Sequence, residues 1–407
     1  MVVEKTILII SGGKEAIGGI KIAKDMGLKV VVSDYDPNAP GFAYADEKII
    51  ASTYDPDETL EKVKQYNGKI DAVVTIACDA TRTVAAVADF LKIPGPTLST
   101  AFLATEKLEM KKQFLKDNIP IPWFKEIMSL EDLKSIISER GFPIILKPVD
   151  NRGARGVLKL TDKTDLEEAY QHSLKNSFSG KLIVEEWLSG PQYSPESIIW
   201  DGEMVTPLIS YRNYDKLDEF SPFIIEDGGS MPADLTLEQC RDIDKLMLSA
   251  AKSLGLERGI IKGDIVIHNG KPMIIEVAAR LSGGNYSTFE IPFCTGVNIV
   301  EAAINISLDE KPDFDKLISK NICSLAQRYL FPPIGKIKSI TGVDEVKKLE
   351  GLELFKIYIE VGDVVGKVSD HSKRGGMIIM SADTKEEAIK RVDSAVNMIK
   401  IEVDSND

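Results

Sequence analysis

The chain has 407 residues, 43% hydrophobic and 28% charged, with a formal net charge of −13. That length leaves room for several domains, and the composition is that of an ordinary globular protein. The acidic balance excludes a general nucleic-acid binder, which needs a basic footprint, but not a small anion held by local cations.

Apolar runs such as "VVTIA" are too short to cross a membrane. The first residues, "MVVEKTILIISGG", lack a basic region and a cleavage site and read as a strand, so no export signal is expected and the cytoplasm is the implied compartment. Four cysteines and three histidines are scattered without a CxxC pair, which points away from a disulfide framework or a structural zinc site.

The first third alternates strand and helix. "TILIISGG" is a strand ending in glycines, and "AIGGIKIAKDMG" is an amphipathic helix with a glycine stop. The strand "KVVVSDYDP", the helix "DETLEKVKQYN", the strand "IDAVVTIA" and the helix "TRTVAAVADFLKI" follow. Near-continuous apolar strands in this rhythm predict an α/β fold with a doubly wound parallel sheet, covered on both faces. Ligands of such sheets bind beyond the carboxyl ends of the strands, which here carry Ser11-Gly12-Gly13, Asp34, Asp36 and Asp79. The turn "SGGKEAIGG" is not a clean GxGxxG, and glycines for a tight strand–helix turn explain it as well as a dinucleotide does.

From residue 121 the pattern changes. A proline-rich connector, "IPIPWF", precedes the helix "SLEDLKSIISERG", the strand "FPIILKPVD", the turn "NRGARG", the strand "VLKL" and the helix "TDLEEAYQHSLKN". The strands "KLIVEEWLSGPQ", "SPESIIWDGEMV" and "VTPLISYR" come next, then the helix "LEQCRDIDKLMLSAAKSLG" and the hairpin "KGDIVIHNGKPMIIEVAAR". The tail reads as a small β-rich unit closed by the helix "TKEEAIKRVDSAVNMIK".

The hairpin turns on Asn269-Gly270. A two-residue loop pairs His268 with Lys271 and sends Asp264 and Glu276 to opposite faces. A three-residue loop, His268-Asn269-Gly270, brings them to one face. The charge pattern favours the second, because two acids buried apart among "IVI" and "MII" are costly. Together they can hold a hard divalent cation, Mg²⁺ first, with phosphate oxygens completing its shell. Arg280, just past the strand, is placed to meet the same phosphates.

Lys147 ends an apolar strand, where a lysine is almost never simply buried. The glycines of "NRGARG", around Arg155 and Gly156, let backbone N–H groups approach an anion. Lys107 opens another helix. Two separated lysines, a glycine-rich turn and a distal carboxylate pair describe a triphosphate–metal site. In "VEEWLSGPQ", Glu185 can accept from an adenine amino group, and the backbone from Glu186 through Trp187 to Leu188 can read the ring edge.

Lys107, Lys147 with "NRGARG", "VEEWLSGPQYSPES", Asp264 and "EVAAR", in this order, resemble the ATP-grasp enzymes over nearly the whole chain. The nearest branches are the biotin carboxylase-like enzymes and the L-amino acid ligases; "EVAARLSGG" is similar to the latter. The resemblance implies that Lys107 and Lys147 grip ATP phosphates, that Glu185 and Leu188 hold the adenine, that Asp264 and Glu276 bind Mg²⁺, and that Arg280 steadies an acyl phosphate. It implies small-molecule carboxylate and amine substrates, and it is compatible with Mn²⁺ in place of Mg²⁺ and with a homodimer. Two positions depart from the family. Ala278 stands where relatives often carry a metal-binding Asn, with Asn285 a candidate substitute. Gln192 stands where many carry Glu near the ribose hydroxyls, and it can still hydrogen-bond a hydroxyl.

The implied organisation is a pre-ATP-grasp domain (1–120), an ATP-grasp lid (121–205), an ATP-grasp core with the metal site (206–315) and a C-terminal α+β unit (316–407). The leading function is a carboxylate–amine ligase. A carboxylase or ribonucleotide-processing enzyme using bicarbonate or formate is the second, resting on Asp34 and Asp36. A nucleotide-binding regulator without turnover is the third, resting on Ala278 alone.

Overall fold

The computed structural model describes residues 4–319 and 323–404. Strands β1 (Thr6–Ile10), β2 (Lys29–Asp34), β3 (Glu47–Ile50) and β4 (Ala72–Thr75) form a parallel sheet in the order β3-β2-β1-β4. Helices α1 (Ile17–Asp25), α2 (Pro56–Gln65) and α3 (Thr81–Leu91) follow β1, β3 and β4. The unbroken apolar run of β1 is buried along its whole length, as a strand covered on both faces must be. The edge strand β3 went unanticipated, since "EKII" buries only Ile49 and offers no apolar run to read. All four strands run the same way, so their carboxyl ends, and the loop carrying Asp79, meet at one edge of the sheet.

Helices α4 (Leu98–Leu103) and α5 (Lys107–Lys116) lead to a second layer. Here β5 (Phe124–Ile127), α6 (Leu130–Arg140), β6 (Ile144–Pro148), β7 (Leu158–Leu160), α7 (Leu166–Lys175) and β8 (Leu182–Glu186) make an antiparallel sheet, ordered β5-β8-β6-β7, under two helices. Both helices start where their caps predict: Ser129 accepts from the Asp132 N–H and Asp165 from the Glu168 N–H. Each such cap contributes about 1 kcal/mol. Leu133, Ile136, Leu146, Leu158 and Val184 form the core of this unit.

The largest sheet has eight strands in the order β13-β12-β9-β10-β11-β14-β18-β16. They are β9 (Gln192–Trp200), β10 (Glu203–Asn213), β11 (Gly228–Met231), β12 (Arg258–His268), β13 (Lys271–Ala278), β14 (Ser324–Leu330), β16 (Leu352–Ile357) and β18 (Gly376–Ala382). Between β11 and β12, α8 (Leu237–Leu254) has a capping box of Thr236 and Gln239 and a left-handed stop at Gly255. Its buried residues Ile243, Leu246, Met247, Ala250, Ala251 and Leu254 recur at helical spacing and pack with Ile265, Ile274 and Val277 of the hairpin. A three-stranded sheet, β17 (Val364–Val365), β15 (Gly335–Thr341) and β19 (Lys400–Asp404), and the helix Lys385–Met398 complete the tail.

Two expected boundaries fall inside this large sheet. The cut at 205/206 splits β10, which is hydrogen-bonded to β9 on its N-terminal side. The four-stranded sheet β5-β8-β6-β7 itself ends at Glu186. The cut at 315/316 separates β14, β16 and β18 from strands they continue. The first join is the local pairing of β9 with β10, the second is strand pairing over long sequence separations, and no composition change marks either. No helix among the described residues is long and apolar enough to cross a membrane.

Candidate active site

The β12–β13 hairpin closes through a two-residue loop, with His268 paired to Lys271. Asn269 (φ 50°) and Gly270 (φ 78°) both adopt the left-handed conformation of a type I′ turn, which matches the twist of the flanking strands. The expected three-residue loop is therefore overturned. Ile265 pairs with Ile274, but Asp264 pairs with Glu276, so one extra residue, Ile275, is accommodated on β13. This bulge returns both acids to one face, directly opposite each other. Lys111 of α5 donates to the Ile275 carbonyl at 3.2 Å, satisfying a group in the bulge.

Each acid faces a cation. Arg212 Nη1 lies 2.6 Å from Asp264 Oδ2, and Lys262 Nζ 3.3 Å from Oδ1. Burial disfavours the Asp264 carboxylate, yet the Arg212 and Lys262 charges outweigh it and hold the group below the usual carboxylate range. Glu276 Oε1 lies 3.2 Å from Lys107 Nζ, which also donates to the Asn151 carbonyl at 2.7 Å. Arg212 further pairs with Glu226 at 3.0 Å.

Lys147, on β6, is buried and lies 2.8 Å from Glu185 Oε1 on β8. A third lysine, Lys111, reaches the same oxygen at 3.1 Å. Burial pushes Lys111 down to about 8, against the pull of Glu185. Burial would raise Glu185, but the two ammonium groups hold it below its ordinary value. The sequence reading left this carboxylate free for an adenine amino group. In the fold it is the counter-ion of two buried lysines, which cannot be desolvated without one. Only three-dimensional packing reveals Lys111, since "EMKKQF" looks like a solvated helix face.

The turn after β6 has left-handed residues at Gly153 (φ 63°), Ala154 (φ 60°) and Gly156 (φ 73°). A side chain at Gly156 would stand 2.8 Å from both Asn176 Cβ and Pro148 Cγ, so glycine is required there. Arg152 of this turn lies over the Tyr54 ring, 3.7 Å from its centroid, and Gly153 accepts from the His371 N–H at 3.0 Å. Arg155 does not reach the two lysines; it donates to the Arg152 carbonyl at 3.3 Å.

Arg280 leaves β13 for the N-terminal sheet. Its Nε donates to Asp79 at 2.7 Å and its Nη1 to the Leu281 carbonyl at 2.9 Å. Burial opposes ionisation of Asp79, and Arg280 more than compensates, leaving the carboxyl below the usual range. Beyond it, the Ser282 N–H donates to Glu196 and the Gly284 N–H (φ 67°) to Glu15 at 2.9 Å. Glu15 thus ties this turn to the first domain.

Several of these groups line one cavity of about 450 Å³, though Lys111, Arg155 and Gly156 do not. Lys147, Glu185, Glu186, Trp187, Leu188 and Gln192 lie around it, with Lys107, Asp264, Glu276, Asp79 and Arg280. So do Arg212, Tyr214, Glu226, Glu290, Gln327, Tyr329, His371 and Arg374, which the sequence reading did not single out. They come from β10 and the connection that follows it, the turn after β13, β14 and the tail, and nothing in their local sequence marks them as neighbours. Asp34 accepts the Gly12 and Asp36 N–H groups, and Asp36 accepts the Asn38 N–H, so both acids cap local backbone. Ala278 offers no donor, and the Asn285 side chain accepts from Lys356 at 2.7 Å.

Among the described residues no cluster of three or more His, Cys, Asp or Glu side chains is arranged for a metal ion. The facing pair Asp264 and Glu276 fits Mg²⁺, which uses one or two carboxylates and takes its remaining oxygens from phosphate and water.

Residues 104–284 match the ATP-grasp domain, and residues 328–404 match the L-amino acid ligase C-terminal domain 2. The L-arginine-specific L-amino acid ligase of Bacillus subtilis is 25% identical over 319 residues, 75% of this chain and 73% of that protein. The L-amino acid ligase structure from Bacillus licheniformis superposes with a TM-score of 0.84 at 22% identity, over 99% of each chain. Phosphoribosylglycinamide synthetase from Anaerococcus prevotii superposes with a TM-score of 0.75 at 20% identity, over 98% of this chain and 100% of that one. The matched ATP-grasp domain spans Lys107, Lys147, Asp264, Glu276 and Arg280, and beyond it the chain carries the second C-terminal domain of the L-amino acid ligases.

Proposed function

We propose that this protein is an ATP-dependent ligase that activates a small-molecule carboxylate as an acyl phosphate and joins it to an amine, releasing ADP and phosphate. The observation that carries the reading is the single cavity joining buried lysines, a facing carboxylate pair and Arg280. In this reading Lys107 and Lys147 hold the phosphates, with the backbone of the turn around Arg155 and Gly156 closing over them. The adenine lies at the end bounded by Glu185, Glu186, Trp187 and Leu188, and Gln192 meets the ribose. Nucleotide binding exchanges the Lys107–Glu276 pair for a lysine–phosphate contact and frees Glu276. Mg²⁺ held by Asp264 and Glu276 supplies charge neutralisation for the transferring phosphoryl group; Mn²⁺, another oxygen-seeking cation, is expected to support the reaction too. Arg280 steadies the acyl phosphate and the charge that develops as the amine attacks. Supply of ATP makes the cytoplasm the compartment this chemistry calls for. The bicarbonate or formate alternative drew on Asp34 and Asp36, which are engaged with local backbone amides, and it stands only as a variant of the same family chemistry.

The test follows atoms. A carboxylate oxygen attacks the γ-phosphorus, and the amine then expels that oxygen with the phosphate. With the carboxylate labelled in heavy oxygen, released phosphate is expected to carry one labelled oxygen per amide formed. Label retained wholly in the organic product rejects carboxylate activation.

We take the sheet β5-β8-β6-β7, with the turn that follows β6, as a lid that excludes water from the acyl phosphate. Amide exchange in residues 148–157 is expected to slow on ATP binding. Identical exchange with and without ATP removes the lid.

A further inference from the structure

Glu290 ends a π-helical turn, Tyr286–Glu290, immediately before helix α9 (Ile291–Thr295). Such wide turns are rare and recur at functional sites. Its side chain lines the active-site cavity yet is only 3% exposed, and its Oε1 has no hydrogen-bond partner. No cationic side chain among the described residues pairs with it. Glu226, the nearest acid, differs: it is matched by Arg212 at 3.0 Å and Arg374 at 3.6 Å. A buried carboxyl without a counter-ion costs stability and is retained where a ligand completes it.

We propose that Glu290 is the recognition group for the ammonium of an amino-acid substrate. The proposal rests on the ligase reading and deepens it by assigning an amino-bearing substrate to this end of the cavity.

The chemistry of the surroundings agrees. Burial, aided by the Glu226 charge, pushes the Glu290 carboxyl up to about 8, so it is largely protonated at neutral pH. The other ionisable groups that sense its charge are Tyr286, Tyr329 and Cys294, and burial raises all three. Of this group, Glu290 is therefore the one able to give up a proton near neutrality. An arriving ammonium supplies the missing counter-ion: carboxylic acid plus R–NH₃⁺ becomes a carboxylate–ammonium pair, and one proton passes to the buffer. Tyr286 is not a rival, because its hydroxyl donates to the Ser194 carbonyl at 2.9 Å.

Glu290→Gln keeps the shape and removes the charge. Binding of the common L-amino acids and of their 2-hydroxy-acid counterparts is measured by calorimetry at pH 7, in buffers of different ionisation enthalpy. Wild-type protein is expected to release close to one proton per amino acid bound and none per hydroxy acid. Glu290→Gln should release none and bind the amino acid at least about tenfold more weakly, with ATP affinity within about twofold of wild type as the check on folding. Equal proton release or equal amino-acid affinity in the two proteins overturns the proposal, as does failure of every amino acid to bind the wild type. Binding needs no turnover, so the ligase reading is judged separately, by amine-dependent ADP release from the wild type.

Discussion

Arg280→Ala is expected to lower kcat by about 10²–10³-fold while KM for ATP stays within about threefold. The split follows from position. Arg280 lies between β13 and the N-terminal sheet and lines the cavity in which, on the proposed reading, charge develops during acyl transfer. A contact that strengthens only in the transition state appears in kcat and not in ATP affinity. The same guanidinium neutralises Asp79, so its loss also leaves an acid without its partner. Arg280→Lys restores a charge beside Asp79 without the planar fork. Recovery of the thermal midpoint but little of kcat is the expected result. Steady-state ADP release measures both variants, and a folded Arg280→Ala protein with unchanged kcat removes this residue from the chemistry.

Lys147→Ala is expected to weaken ATP binding by about 2–3 kcal/mol, roughly thirty- to 150-fold in Kd by calorimetry, from lost charge-assisted phosphate contacts. Unchanged affinity in a folded variant refutes the phosphate role. Lys147 shares Glu185 with Lys111, and this adds a signature in pH. The folded value for Lys111, about 8, lies below its ordinary 10.5, so between those values the unfolded chain binds more protons and stability rises with pH. The Lys147 charge is one cause of that depression. In Lys147→Ala the Lys111 value moves back up, and the rise in stability above pH 8 should flatten.

Much of the architecture was legible because local physics and global fold agree. The apolar run of β1 permits only a strand covered on both faces, and Ser129, Asp165 and Thr236 start their helices because a side-chain oxygen satisfies an otherwise unpaired N–H. The sequence singled out Lys107, Lys147, Asp264, Glu276 and Arg280 as charged residues set among apolar segments, and the fold brings all five to one cavity. The face shared by Asp264 and Glu276 was anticipated through the wrong device. Asn269-Gly270 forms a two-residue loop, and the register is corrected instead by a bulge at Ile275, whose carbonyl accepts from Lys111 of α5, far away in sequence.

By itself, then, the sequence determined the element types, the helix starts and the order of the chemical groups, all of which depend on residues within a few positions of one another. Only the tertiary structure decided that Lys111 and Lys147 share Glu185, that Arg280 answers Asp79 across 201 positions, and that the tail's strands continue the central sheet to bring His371 and Arg374 into the cavity. Glu290 belongs with them. In "YSTFEIPF" it reads as one polar residue in an apolar stretch, and its meaning depends on which cations are missing around it, a property of the packed core that no local pattern encodes.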